Sequence, residues 1–308
     1  MRIVSLLPSA TEIVCALGLG DSLVGVSHEC DWPPAVVGLP IVTEPKIDPR
    51  QSSAEIDTAV RGLVSDGLSV YRIRTDVLAE LKPDLIVTQE QCDVCAVSYD
   101  EVVTATRDLL DASARIVSLK PVVLQDILTD IERVAEAASC VAAGRDVVGE
   151  IKRRFESIGA RATQVRSRPR VACIEWLSPL MAAGNWVPEL VAMGGGEYRL
   201  ASTGAPSVTV EWRQVEEAAP DVVVLMPCGF KLSQTERELP AITAAPEWNR
   251  LPAVRNGRAY AVDGNAYLNR PGPRIAESAE LLAGLIQPSF FAARIPPRSY
   301  MRIERATG

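Results

Sequence analysis

Four of the seven cysteines and the single histidine are the residues best suited to chemistry. Cys92 and Cys95 form a C-x-x-C turn, Cys30 lies two residues after His28, and Cys228 follows a proline far downstream. Thiolates bind soft or borderline metals, and a C-x-x-C turn lets two sulfurs point at one ion. Cys30, Cys92 and Cys95 therefore form a candidate metal set, with Cys228 and His28 as further possible ligands. Such a set suits a zinc ion, or three corners of a 4Fe-4S iron–sulfur cluster whose open iron acts as a Lewis acid. Glu29, Glu175 or Asp31 then offer a general acid or base, the first two as catalytic candidates. The same cysteines also fit a redox dithiol or unpaired loop thiols, and His28 also fits a structural, hydrogen-bonded role. Cys15, Cys140 and Cys173 lie inside apolar helix or strand patterns and read as small buried hydrophobes.

These residues fall on loops that a strand–loop–helix grammar places together. A strand over Ile3–Leu7 precedes a helix over Ala10–Leu17, with Ser9 and Glu12 spaced as a capping box. Leu23–Ser27 is a second strand, and it empties into the proline-bounded loop His28–Pro34. Asp84–Thr88 is a strand that empties into Gln89–Cys95. Arg170–Ile174 empties into Glu175–Pro179, Asp221–Leu225 into the loop of Cys228, and Arg258–Val262 into Asp263–Gly272. Ligands of open α/β sheets bind outside the carboxyl ends of the strands, so these loops are the candidate site. Asn185 reads as a turn residue, a helix cap or a ligand contact. Asn269 and Arg270, before Pro271, can hold an anionic ligand edge or serve the local loop.

Between the two repeats runs one helical pattern from Leu124 to about Ile158, with apolar residues at steps of three and four. A helix of that length spans roughly 50 Å, so Gly144 and Gly149 are the expected points of bending. The expected architecture is α/β: two Rossmann-like lobes joined by a long helical spine, with a ligand cleft between the lobes. The boundaries are 1–120 for the first lobe, 121–168 for the spine, 169–293 for the second lobe and 294–308 for a solvated tail. Gly194–Gly196 follow a helix rather than opening one, so they read as its C-cap and not as a phosphate loop.

Composition limits the function classes. The 308-residue chain is 47% hydrophobic and 23% charged, ordinary for a globular protein. A net charge of −7 argues against a nucleic-acid partner. No apolar run reaches the ~18 residues that membrane insertion needs. No secretory leader precedes the first strand, and an odd cysteine count argues against a disulfide framework, so the expectation is a cytoplasmic protein. There is no Ser-His-Asp set, Walker loop or dinucleotide-binding fingerprint.

The layout resembles the helical-backbone class of substrate-binding proteins of ABC importers, which includes vitamin B12-binding and siderophore-binding members. The stretches that carry the resemblance are Arg2–Glu12, Leu23–Val26, Leu81–Ile86, Ala219–Val222, Gly257–Tyr260 and Arg270–Arg274, in the family's order. Among members, the sequence looks most like those labelled cobalamin-binding. The resemblance implies two lobes clasping a small-molecule ligand, with cobalamin or another corrinoid or metal chelate as the expected cargo. It places Glu29, Glu44 and Gln89 against that ligand, with Trp32 and Trp176 as stacking surfaces. It also implies an acidic residue on each lobe for docking on permease arginines. Asp76 matches, whereas Arg213 has the opposite sign, which argues against docking. Three expectations result: a cytoplasmic corrinoid-binding protein, an enzyme with a cysteine-ligated iron–sulfur or zinc centre, or, more plainly, an importer-associated solute receptor.

Overall fold

The computed structural model describes residues 1–65, 70–89, 114–291 and 295–304. The chain is α/β and divides into two compact units. The first comprises Met1–Gln51, Glu55–Pro121 and Gln125–Glu150, and the second Ser52–Ala54, Val122–Leu124 and Ile151–Gly308.

The first unit is built on a parallel sheet in the order β2-β1-β5-β6. These strands are β1 (Ile3–Ser5), β2 (Leu23–Val26), β5 (Leu85–Gln89) and β6 (Arg115–Leu119). Ile3, Val4, Leu85, Ile86 and Val87 are all fully buried. A continuous apolar run of this kind marks a strand covered on both faces. Helix α1 (Pro8–Ala16) follows β1 directly, with Pro8 in its first turn, where a missing N–H costs nothing. The expected capping box is not formed: Leu7 is the N-cap, without a side-chain cap bond, and Ser9 is buried inside the helix. The short strands β3 (Thr43–Pro45) and β4 (Tyr71–Ile73) pair antiparallel beside this sheet, with Thr43 opposite Ile73. Helices α2 (Ser53–Ser65) and α3 (Thr75–Leu81) flank β4 in sequence.

The expected single spine is two helices, α4 (Leu124–Ala137) and α5 (Val141–Ala162). The break falls at Ser139, whose φ of 58° is left-handed, and not at either glycine. Gly144 lies inside α5 and serves a different purpose. A Cβ there would sit 2.5 Å from the Cβ of Ala135, so its absence lets α5 approach α4 closely.

The second unit holds a mixed sheet in the order β10-β8-β7-β11-β12-β13, with β9 pairing β7 off that path. The central strands β7 (Arg170–Leu177), β11 (Val222–Leu225) and β12 (Ala259–Val262) are parallel. β7 continues through Glu175 and Trp176, where a loop is expected, and turns back antiparallel into β8 (Leu180–Ala182). β9 (Glu197–Tyr198) and β10 (Val208–Thr209) add short pairings. Helices α6 (Val187–Met193), α7 (Trp212–Ala218), α8 (Leu232–Thr243), α9 (Pro252–Arg255), α10 (Ile275–Ile286) and α11 (Pro288–Phe291) complete it. Trp248 and Leu251 anchor a core with Val223, Leu225 and Ala259.

The C-terminal segment is not the expected solvated tail. β13 (Tyr300–Arg302) pairs antiparallel with β12, and Phe291 and Ile303 are buried. Apolar side chains one strand apart outweigh the arginines among them. Arg294 and Arg305 lie outside the described residues.

Candidate functional site

The carboxyl edge of the first sheet is polar in a regular way. Each of its four strands ends in a buried hydroxyl: Ser5 on β1, Ser27 just past β2, Thr88 on β5 and Ser118 on β6. Buried hydroxyls need partners, and most of these have them. Ser5 donates to the Leu7 carbonyl at 3.0 Å and accepts from Thr11 at 2.8 Å. Ser27 accepts from Thr43 at 3.1 Å and from the Glu29 N–H at 3.3 Å. Among the described residues, Thr88 Oγ1 has no hydrogen-bond partner.

Two of the candidate ligands stand on this edge with different roles. Cys30 is buried, and its sulfur lies 3.0 Å from the Thr11 hydroxyl. That contact turns the thiol into the fold. His28 is half-buried and turns the other way. Its backbone N–H and its Nδ1 both meet Thr43 Oγ1, at 3.1 and 2.7 Å. Thr43 donates to Ser27, so its two acceptor positions take the two His28 N–H groups. This places the imidazole proton on Nδ1. Burial pushes the His28 pKa down, opposed by the charge of Glu44. Tyr71 packs against the ring at 5.2 Å between centroids and donates its hydroxyl to Glu29 at 2.9 Å.

Trp32 stands on the same loop, 45% exposed, an unusual level for tryptophan. Glu44 is engaged in an ion pair with Arg72. Gln89 closes β5 and is buried opposite Leu119. Cys92 and Cys95 lie outside the described residues. Among the described residues, no group of three or more His, Cys, Asp or Glu side chains converges as a metal set.

The second unit collects its own candidates. The Cys228 N–H donates to the Glu175 carbonyl at 3.0 Å, which ties the two loops together. Trp176 packs edge-on against Phe230 at 5.3 Å and donates its indole N–H to the Ser178 carbonyl. Asn269 spends its amide on the Met226 and Gly264 carbonyls, at 2.7 and 3.2 Å. Arg270 is buried and donates to Asn265 at 3.0 Å. Asn185 is a turn residue with φ of 50°, its N–H bonded to the Ala205 carbonyl at 2.7 Å. Neighbouring Trp186 is core, its indole bonded to the Leu268 carbonyl. Of the docking candidates, Asp76 is exposed, and Arg213 is paired with Glu217 at 2.9 Å.

Sequence reasoning missed Thr43, Tyr71, Thr11 and Phe230. The first two meet His28 through the β3–β4 pairing, which is a tertiary event. Only the β-branched and aromatic character of those two short stretches hints at it.

Two α/β units with polar loops at the carboxyl ends of their strands define a substrate-binding protein of the helical-backbone type. The chain belongs to the periplasmic binding protein family, whose model matches residues 3–266. It is similar to the vitamin B12-binding protein of Vibrio cholerae, 26% identical over 283 residues that cover 91% of this chain and 86% of that protein. An uncharacterized ABC transporter substrate-binding lipoprotein of Bacillus subtilis is 24% identical, covering 94% of this chain and 81% of the relative. Among solved structures, a periplasmic haem-binding protein from Pseudomonas aeruginosa matches at a TM-score of 0.72 and 18% identity, over 100% of this chain and 99% of that one. The periplasmic vitamin B12-binding protein of V. cholerae matches at 0.67 and 23%, over 94% and 97%.

These findings correct two expectations. The cytoplasmic placement is overturned, because the family and these relatives are periplasmic binding proteins and a lipoprotein. The enzyme with a cysteine-ligated iron–sulfur or zinc centre is overturned as well. The family and the relatives it matches are binding proteins, Cys30 is turned to Thr11, and Cys92 and Cys95 lie outside the described residues.

Proposed function

We propose that this protein is the extracytoplasmic substrate-binding component of an ABC importer, with a cobalamin-like metal macrocycle as cargo. The observation that carries the reading is the loop after β2, where an exposed Trp32 stands four residues from a half-buried histidine–tyrosine pair. A flat, largely apolar ligand is held by aromatic faces and oriented by a few polar groups. Relatives named for vitamin B12 that match over nine-tenths of the chain support the same cargo. Glu29, Glu44 and Gln89 are the polar candidates of the first unit, and Trp176 is the aromatic candidate of the second. Asn185, Asn269 and Arg270 shape the loops of the second unit through the bonds described above. Asp76 and the acidic neighbour of Arg213, Glu217, are the candidates for contact with a permease.

The test is titration of the purified protein with cyanocobalamin, aquocobinamide and haemin, followed by calorimetry and by quenching of tryptophan fluorescence. Binding of a corrinoid at about micromolar Kd or tighter is expected, weakened at least tenfold by Trp32→Ala. Failure to bind any of the three ligands overturns the reading.

A further inference from the structure

We infer that His28 is an axial donor to the metal of the cargo, and that the protein therefore takes corrinoids whose lower axial position is open. The inference rests on the metal-macrocycle reading above. Its basis is the imidazole itself. Thr43 Oγ1 sits 2.7 Å from Nδ1 and has given its own proton to Ser27, so Nδ1 carries the ring proton. The lone pair is then on Nε2, which has no hydrogen-bond partner among the described residues. A metal-binding histidine is commonly fixed in this way, its second nitrogen donating to a neighbour that sets tautomer and ring plane. Tyr71 holds the ring from one side at 5.2 Å, and is itself anchored on Glu29. The ring is half-buried rather than enclosed, so its outer nitrogen can meet a ligand. Trp32, four residues on, gives the macrocycle a face to lie against.

The step is a ligand exchange. The Nε2 lone pair forms a coordinate bond to cobalt, and a water molecule leaves the same axial position. No electron is transferred, and no proton moves because the imidazole is already neutral. Glu44 is the charge that acts on the ring, and Glu29 holds the Tyr71 hydroxyl beside it. A complete cobalamin, whose own base fills that position, must first release the base. The protein therefore discriminates in favour of incomplete corrinoids such as cobinamide.

The experiment is an absorbance titration of the whole protein with aquocobinamide and with cyanocobalamin. The wild type should shift the cobinamide bands to those of a nitrogen-ligated corrinoid and bind cobinamide at least tenfold more tightly. His28→Gln should bind with loss of the band shift, and added imidazole should restore it. The Co(II) form bound to wild type should show a three-line nitrogen splitting in electron paramagnetic resonance, becoming two-line when the single histidine carries 15N. This second readout needs no variant and so does not depend on the folding of His28→Gln. Cobinamide binding without a band shift, or with a splitting that 15N-histidine leaves unchanged, overturns the inference while the corrinoid reading stands. No corrinoid binding at all overturns both.

Discussion

Replacing Thr43 by valine tests the scaffold around His28 at constant volume. The substitution removes one oxygen and creates no cavity. Thr43 is buried, and its hydroxyl accepts the His28 backbone N–H and Nδ1–H while donating to Ser27. An orphaned buried donor costs ~1–3 kcal/mol. The half-buried imidazole can turn its N–H to water, so the lasting losses are the backbone N–H and the Ser27 contact. Together they amount to about 2 kcal/mol. For a unit of this size each kcal/mol moves the midpoint by about 2–4 °C, so Tm should fall by about 4–8 °C. Thermal unfolding followed by circular dichroism measures the loss. Because the chain has one histidine, the 15N spectrum of a tag-free sample reports its tautomer directly. Wild type should show the proton on Nδ1, and Thr43→Val a mixture of both forms. A variant that melts within ~1 °C of wild type and keeps the same imidazole signals would refute the assignment.

Further outcomes follow from the same contacts. Burial holds the His28 pKa below its ordinary 6.5, so the unfolded chain takes up the proton first. Stability should therefore drop as pH falls below 6.5, and His28→Gln should flatten that part of the curve in denaturant titrations at several pH values. The two tryptophans Trp32 and Trp186 should separate cleanly. Trp186→Ala loses a buried ring and its 2.7 Å bond to Leu268 and should cost about 3–5 kcal/mol, whereas Trp32→Ala should stay within about 0.5 kcal/mol and lose ligand-induced fluorescence quenching. Gly184→Ala would bring a Cβ within 2.3 Å of the Ala205 carbonyl oxygen, so a loss of about 3 kcal/mol is expected, with little soluble protein recovered on expression.

The central strands β1, β2, β5, β7, β11 and β12 are legible in the sequence because they form mostly buried apolar runs between turn signals. Leu85–Val87 and Val222–Leu225 are examples, each fully buried. The helix break at Ser139 was not legible, because periodicity continues across it and glycine attracts attention first. In the structure Gly144 answers to helix contact, not to bending. The C-terminal strand was masked by its arginines, although Ile303, just past it, is buried. At the site, the loop after β2 and its exposed tryptophan follow from strand-end reasoning. The side-chain assignments do not, since cysteine and histidine two residues apart look equivalent in sequence. Only the fold shows Cys30 turned to Thr11 and His28 turned to Thr43. The cytoplasmic expectation was overturned by the relatives, which are periplasmic binding proteins and a lipoprotein, and not by any residue of the site.

The row of four hydroxyls across the first sheet bears on how such a protein changes over generations. Serine differs from alanine, and threonine from valine, by a polar oxygen at nearly unchanged size. Ser5, Ser27, Thr88 and Ser118 can therefore gain or lose polarity singly without repacking the strands beneath, at ~1–3 kcal/mol for each buried donor left without its acceptor. The rim of the sheet can therefore change its chemical character while the strands beneath keep their packing.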